Sequence, residues 1–232
     1  MADPGGPWLG IDCATDLAGL ALVADDRLLE ERHWSSRRRH TRELGPALEA
    51  MLERQGLGVT ELGGIAVAIG PGSYTGLRIG LALAKGLAMG ADLPIVGVPT
   101  LDILAVALSA PACPRSLPLW AVLQAGRGRV VAACYPAAEA ATAGRPAAWP
   151  DPRALSVMQV ADLARLATAP AWLAGELDAS ARRQLAAPGL LFLPPAASLR
   201  RASWLATLGR RWAAAGMADD PAALAPIYPV QP

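Results

Sequence analysis

Cysteine and histidine are scarce in this chain: of 232 residues, three are cysteine and two are histidine. Cys13, Cys113 and Cys134 show no metal-ligand spacing. An odd, scattered set of thiols points to free, buried cysteines in a reducing compartment, so a cytoplasmic location is expected. His33 and His40 stand seven residues apart and on different elements, which excludes a helical i, i+4 metal pair. No metal is expected. Long apolar runs are also missing. Segment 79–91 is apolar, but Arg78 and Lys85 break it well short of the roughly 18–20 residues that cross a bilayer. The mean hydropathy of +0.31 owes much to alanine and does not demand a membrane. No basic stretch followed by an apolar core opens the chain, so no secretory leader is expected. An excess of one charge is lacking as well. Residues 1–108 hold nine Lys+Arg and thirteen Asp+Glu, the remainder twelve and seven, for a total of +1. That asymmetry is too mild for a nucleic-acid binder. The densest basic run, Arg37-Arg38-Arg39-His40, reads either as a solvated loop or as a contact for phosphate or an acidic surface.

What is present is the patterning of an α/β protein, long enough for one sizeable core or two small ones. Strands are expected at 7–12, 17–24 and 26–34, the last from its alternation. Thr41 reads as the N-cap of a helix through about Gln55, with Leu44, Leu48, Met51 and Leu52 on one face and Gly56 as its stop. Strand 64–69, helix 76–90, strand 94–97 and helix 100–109 follow, and a Pro-rich connection runs from Pro111 to Pro118. Beyond it, strands at 119–124 and 129–135 flank a glycine turn, 136–152 is loop, and a helix is expected at 156–167. Short strands at 171–175 and 190–193 flank helix 178–186. Helix 198–215 carries Trp204, Leu208 and Trp212 at four-residue steps, a stripe for a core or an interface. The organisation expected is therefore a first lobe at 1–110, a second at 117–197, a helix at 198–216 that packs back on the first, and an extended or disordered Pro-rich tail at 217–232.

The most informative stretch is Gly70-Pro71-Gly72-Ser73-Tyr74-Thr75-Gly76-Leu77-Arg78-Ile79-Gly80, set between a buried strand and a long apolar helix. Such a loop brings backbone close to a phosphate or to another backbone. It is not a P-loop, because no Gly-Lys-Ser/Thr follows, and Ser73 lies outside any Gly-x-Ser-x-Gly nucleophile elbow. Helix 76–90 repeats small residues at four-residue spacing twice, at Gly76, Gly80 and Ala84 and at Ala82, Gly86 and Gly90, and only Arg78 and Lys85 are charged. A helix apolar on more than one face is covered on more than one face, either within its own chain or by a second one.

The eleven-residue string resembles the TsaB (YeaZ) family, the non-catalytic partners in bacterial synthesis of threonylcarbamoyladenosine on tRNA. Leu9-Gly10-Ile11-Asp12-Cys13-Ala14-Thr15 is similar to that family's opening strand, with Cys13 where Thr is usual. Arg39-His40-Thr41-Arg42-Glu43-Leu44-Gly45-Pro46 is similar to its His-Ser-x-x-Leu-x-Pro helix start, and Gly97-Val98-Pro99-Thr100-Leu101 to its turn after the last strand of the lobe. The resemblance covers about residues 8–108 and is thin afterwards.

The resemblance implies an actin-like ATPase (ASKHA) fold of two lobes, the second reduced. It implies a scaffold subunit with no catalytic residue, metal or cofactor of its own. Its partners would be a TsaD-like catalytic subunit and a TsaE-like ATPase, with self-pairing when alone and tRNA met only indirectly. The partner seam would use His40, Leu44 and Leu48 with Gly76, Leu77, Gly80 and Ala84. Asp12, Gly72, Ser73 and Thr75 would line a nucleotide-proximal loop, although Asp12 equally suits an Asx turn. At the second phosphate turn the family pattern Asp-Ala-Arg-x-Gly-Glu-Val-Tyr is replaced by Gln124-Ala125-Gly126-Arg127-Gly128-Arg129-Val130-Val131. A carboxamide has no charge for a divalent cation, which argues against the alternative of an independent nucleotide-dependent kinase or hydrolase. A third alternative is a divergent member that has lost its partner. The family's Pro-x-Tyr-Leu-Arg ending is kept here only as Pro226 and Tyr228.

Overall fold

The computed structural model describes residues 5–25, 27–37, 39–106, 117–137, 144–167 and 170–230. The chain divides into two compact units, Met1–Thr100 with Arg201–Pro226, and Leu101–Arg200 with Ile227–Pro232.

The first unit opens with β1 (Trp8–Asp12), β2 (Leu17–Ala24) and β3 (Arg27–Ser35), joined as antiparallel neighbours. Then come α1 (His40–Gln55), a single 3-10 turn at Val59–Glu61, β4 (Gly64–Gly70), α2 (Tyr74–Ala91) and β5 (Ile95–Pro99). β4 lies parallel to both β1 and β5, which sets the sheet order β3-β2-β1-β4-β5. The chain crosses to the second unit at α3 (Thr100–Ala105). There it forms β6 (Leu119–Gln124), β7 (Arg129–Tyr135), β8 (Val157–Gln159), α4 (Val160–Leu166), β9 (Ala171–Glu176), α5 (Ala179–Gln184) and β10 (Leu190–Phe192). Its sheet order is β10-β9-β6-β7-β8. The last helix, α6 (Ala202–Ala214), belongs to the first unit.

Every residue of β1 and β4 is buried, as continuous apolar strands covered on both faces are. Adjacent residues of β1 face opposite ways. Gly10 meets α6, where an added Cβ would lie 2.3 Å from the Ala202 carbonyl oxygen, and Ile11 meets α2 beside Gly80. Gly209 does the same for β4, since a Cβ there would lie 2.4 Å from that of Ala66. The Trp204-Leu208-Trp212 stripe is thus core: Leu208 and Trp212 are buried and Trp204 is half-buried. The second unit has its own core, built around Val122, Val130, Leu163, Leu173 and Leu185.

Three local expectations change. α1 begins at His40 with Arg39 in the cap position, so Thr41 lies inside the first turn. The Trp34 indole and Arg39 both reach Glu43 there and hold that turn in place of a side-chain cap. The helix expected from residue 156 opens instead as β8, because Val157 pairs with Val131 on β7 and Met158 with Val130. Sheet pairing overrides a helical pattern over so short a stretch. The segment after Met217 is extended and tied down, with Asp219 beside β5 and Val230 beside Ser156. Most of the Pro111–Pro118 connection, the end of helix 100–109, Cys113 and part of loop 136–152 lie outside the described residues.

Candidate functional site

The turn between β1 and β2 is the organising feature of the first unit. Asp12 ends β1 and is buried, and its Oδ1 accepts the Ala14 N–H at 2.8 Å. This is an Asx turn, which shapes the loop with the carboxylate itself. The glycine loop then lies directly on this turn. Ser73 donates its N–H to the Ala14 carbonyl at 2.6 Å, and its Oγ accepts the Gly76 N–H at 3.2 Å as the N-cap of α2. Gly72 and Gly76 are required for the approach. A Cβ at Gly72 would lie 2.3 Å from the Ala14 oxygen, and one at Gly76 would lie 2.1 Å from the Cys13 oxygen. Of the two uses open to such a loop, these two glycines serve the approach to another backbone. Of the cysteines expected to be buried, Cys134 is exposed, whereas Cys13 packs under Gly80 and is buried. Burial, helped by the neighbouring Asp12 charge, pushes its thiol far above the usual range, so it is inert as a nucleophile.

His40 ties α1 to the same turn. Its Nε2 donates to the Thr15 carbonyl at 3.0 Å, and since a carbonyl only accepts, that nitrogen carries the proton. Asp16, His40, Ser73, Tyr74, Thr75 and Gly76 enclose a cleft of about 310 Å³. Its lining of carboxylate, imidazole and hydroxyls around the start of α2 suits a small polar group. Ser73 and Thr75 of the expected loop line it, whereas Asp12 is buried away in the turn. Tyr74 is exposed at the rim, with the Arg78 guanidinium over its ring and bonded to its hydroxyl. Among the described residues, no group of three or more His, Cys, Asp and Glu is placed to hold a metal ion.

The seven residues expected at a partner seam are not on the surface. His40, Leu44, Leu48, Leu77 and Ala84 are each less than 5% exposed, and Gly76 and Gly80 are buried with them. Gly76 and Gly80 of the inner run on α2 are spent on contact with the chain's own first turn, and Ala84 is buried with them. The outer run is the one that faces out: Ala82, Gly86 and Gly90 are exposed, and a Cβ at Gly86 or Gly90 would meet nothing within 4 Å. Half-buried Ile79 and Leu83 and exposed Met89 accompany them, with Arg78 the charged residue on this face. The helix was legible as a two-faced one, but which small-residue run lay inside depended on where the first turn sits.

In the second unit, Gln124 closes the other turn. Its Oε1 accepts the Asp178 N–H at 3.0 Å, and its Nε2 donates to the Asp178 carboxylate. Asp178 also caps α5 through the Ala181 N–H at 2.8 Å. That bond first, and the Gln124 amide second, hold its carboxyl below the usual range. This partnership across 54 residues left no mark in the sequence.

A family model described as TsaD: tRNA N6-adenosine threonylcarbamoyltransferase matches residues 28–148, just over half of the chain. The chain is 40% identical to the tRNA threonylcarbamoyladenosine biosynthesis protein TsaB of Escherichia coli K12, over 42% of each chain. It is 41% identical to a tRNA N6-adenosine threonylcarbamoyltransferase of Nitratidesulfovibrio vulgaris, over 39% of this chain and 29% of that one. The matched part thus spans less than half the length of these relatives. The solved structure of YeaZ from Pseudomonas aeruginosa superposes with a TM-score of 0.74, covering 96% of this chain and 99% of that one at 23% identity, so the two share one α/β fold. No helix among the described residues is long and apolar enough to cross a membrane. By the extent of the family match, the chain belongs to the TsaD family, and curated TsaB proteins are among its relatives.

Proposed function

We propose that this chain acts in forming threonylcarbamoyladenosine on tRNA as a non-catalytic subunit that docks and positions a TsaD-like catalytic subunit. The observation that carries the reading is the outward face of α2. Ala82, Gly86 and Gly90 leave a shallow groove with apolar Ile79, Leu83 and Met89 beside it. A groove floored by small residues lets a partner helix approach closely, and a largely apolar helix face of this kind is a poor solvent surface. The exposed side of α1, with Arg42, Glu49 and Glu53, would give that groove a polar rim. A TsaE-like ATPase would join the assembly through the catalytic subunit, and tRNA would be met through it too. In the absence of a partner, two copies would pair through the same helix face.

Two features support a supporting role over an independent kinase or hydrolase. The first-turn carboxylate of Asp12 is engaged in its own Asx turn, and the second turn presents the carboxamide of Gln124, already paired to Asp178. The test is co-purification with the TsaD homologue of the same genome. Wild type is expected to form a stable complex, and Gly86→Arg, which points a long charged side chain out of the groove, to lose it while remaining folded. Absence of a complex with folded wild type would overturn the reading, and the chain alone would then be assayed for nucleotide hydrolysis.

A further inference from the structure

β5 is the outermost strand of the first unit's sheet, and Ile95-Val96-Gly97-Val98 carries no charge. A strand of this kind offers free N–H and C=O groups to any strand that approaches. Its inner side pairs with β4. On its outer side one residue of the tail meets two of its groups. Asp219 donates its N–H to the Ile95 carbonyl at 2.8 Å, and the Gly97 N–H donates to the Asp219 carboxylate at 2.7 Å. Asp219 therefore supplies a donor and an acceptor where a neighbouring strand would. The segment that follows is held against the same edge. Lys85 on α2 donates from Nζ to the carbonyls of Ala222 and Leu224, at 3.3 and 3.1 Å. The Leu224 side chain lies over Gly97, where an added Cβ would come within 2.7 Å of Cδ1. Asp220 makes the turn between them, accepting the Ala222 N–H on Oδ1 and the Leu224 N–H on its carbonyl.

We propose that the β5 edge is a latent strand-pairing surface, covered in the native chain by its own segment Asp219–Leu224, and that an uncovered edge pairs with the β5 edge of a second copy. The identity of that occupant follows from the groups involved. Pro99 ends the strand on the outward-facing side and has no N–H to donate, so outward pairing is confined to the groups of Ile95 and Gly97. Two such short apolar edges are self-complementary about a two-fold axis, with the donor of one copy opposite the acceptor of the other.

The test uses the full chain carrying Asp219→Ala, with Asp219→Asn as the conservative variant that keeps an acceptor for Gly97, and Lys85→Met as an independent release of the segment. All are made in a Gly86→Arg background, so that pairing through α2 does not contribute, and circular dichroism establishes that each is folded. In dilute solution the Gly97 amide should exchange roughly tenfold faster in Asp219→Ala than in its parent, the effect of one lost hydrogen bond. On concentration, light scattering should show the mass doubling while protection at Gly97 returns. Lys85→Met should move both readouts in the same direction, and Asp219→Asn should stay near its parent. Unchanged exchange at Gly97 would overturn the proposal, and so would faster exchange in a protein that stays monomeric at high concentration.

Discussion

Glu31 on β3 and Ser203 on α6 stand 172 residues apart in sequence and share two hydrogen bonds. The Glu31 Oε1 accepts the Ser203 backbone N–H at 2.9 Å and the Ser203 hydroxyl at 2.7 Å. Arg201 bonds the other carboxylate oxygen, and His33 lies 3.2 Å from the first. A carboxylate from the sheet thus caps the start of the helix that closes the first unit, where the helix dipole favours negative charge.

This cap makes stability depend on pH in the acid range. Burial raises the Glu31 pKa, but the bonds from His33, Ser203 and Arg201 outweigh it and hold the carboxyl at about 2 against an ordinary 4.5. The folded state therefore binds this proton less readily than the unfolded chain. The contribution is complete above about pH 4.5 and is lost as the pH falls towards 2. It amounts to about 3 kcal/mol at neutral pH. Glu31→Gln should lower the denaturation midpoint at pH 7, and the difference from wild type should shrink as the pH is lowered. Urea titrations of both proteins at several pH values check this.

The two small-residue runs of α2 should respond oppositely to one added methyl. Gly76→Ala forces a Cβ onto the Cys13 carbonyl and should cost about 1–3 kcal/mol or more. Gly86→Ala enters open space and replaces the weaker helix former, so it should gain about 0.5–1 kcal/mol. Thermal unfolding of the two variants side by side checks both signs.

His40 should act as a fastener of α1. Removing it in His40→Ala deletes the bond to Thr15 and leaves a void at a buried position, for a loss of about 1–3 kcal/mol. His40→Gln retains an N–H donor and should recover part of that loss. Hydrogen exchange of the first turn of α1 should rise in His40→Ala ahead of the rest of the unit.

At the second turn, Gln124→Asp would set two carboxylates against each other at the start of α5. The variant should lose stability as the pH rises through the carboxylate range, and Gln124→Ala should show no such trend. Melting temperatures of both variants across that range decide the matter.

Much of the fold was legible in the chain. Strands β2, β6 and β7 fall at the residues that apolar runs and the glycine turn mark, and α1 ends at Gly56, which takes the left-handed conformation that favours glycine. The glycine loop, its strand and its helix were legible for the same reason: turn chemistry and hydrophobic period are local properties. β8 was not, since three residues become a strand only when β7 is beside them.

The sequence by itself determined the element order apart from β8, the two-faced character of α2 and the loss of charge at Gln124, because each is written in neighbouring residues. Tertiary structure decided which run of small residues on α2 is buried, since that depends on the first turn lying under Gly76 and Gly80. It also decided that Gln124 meets Asp178, that Glu31 caps α6 and that Asp219 covers β5. Those contacts join segments 54 to 172 residues apart, and local propensity carries no information about a partner at that distance.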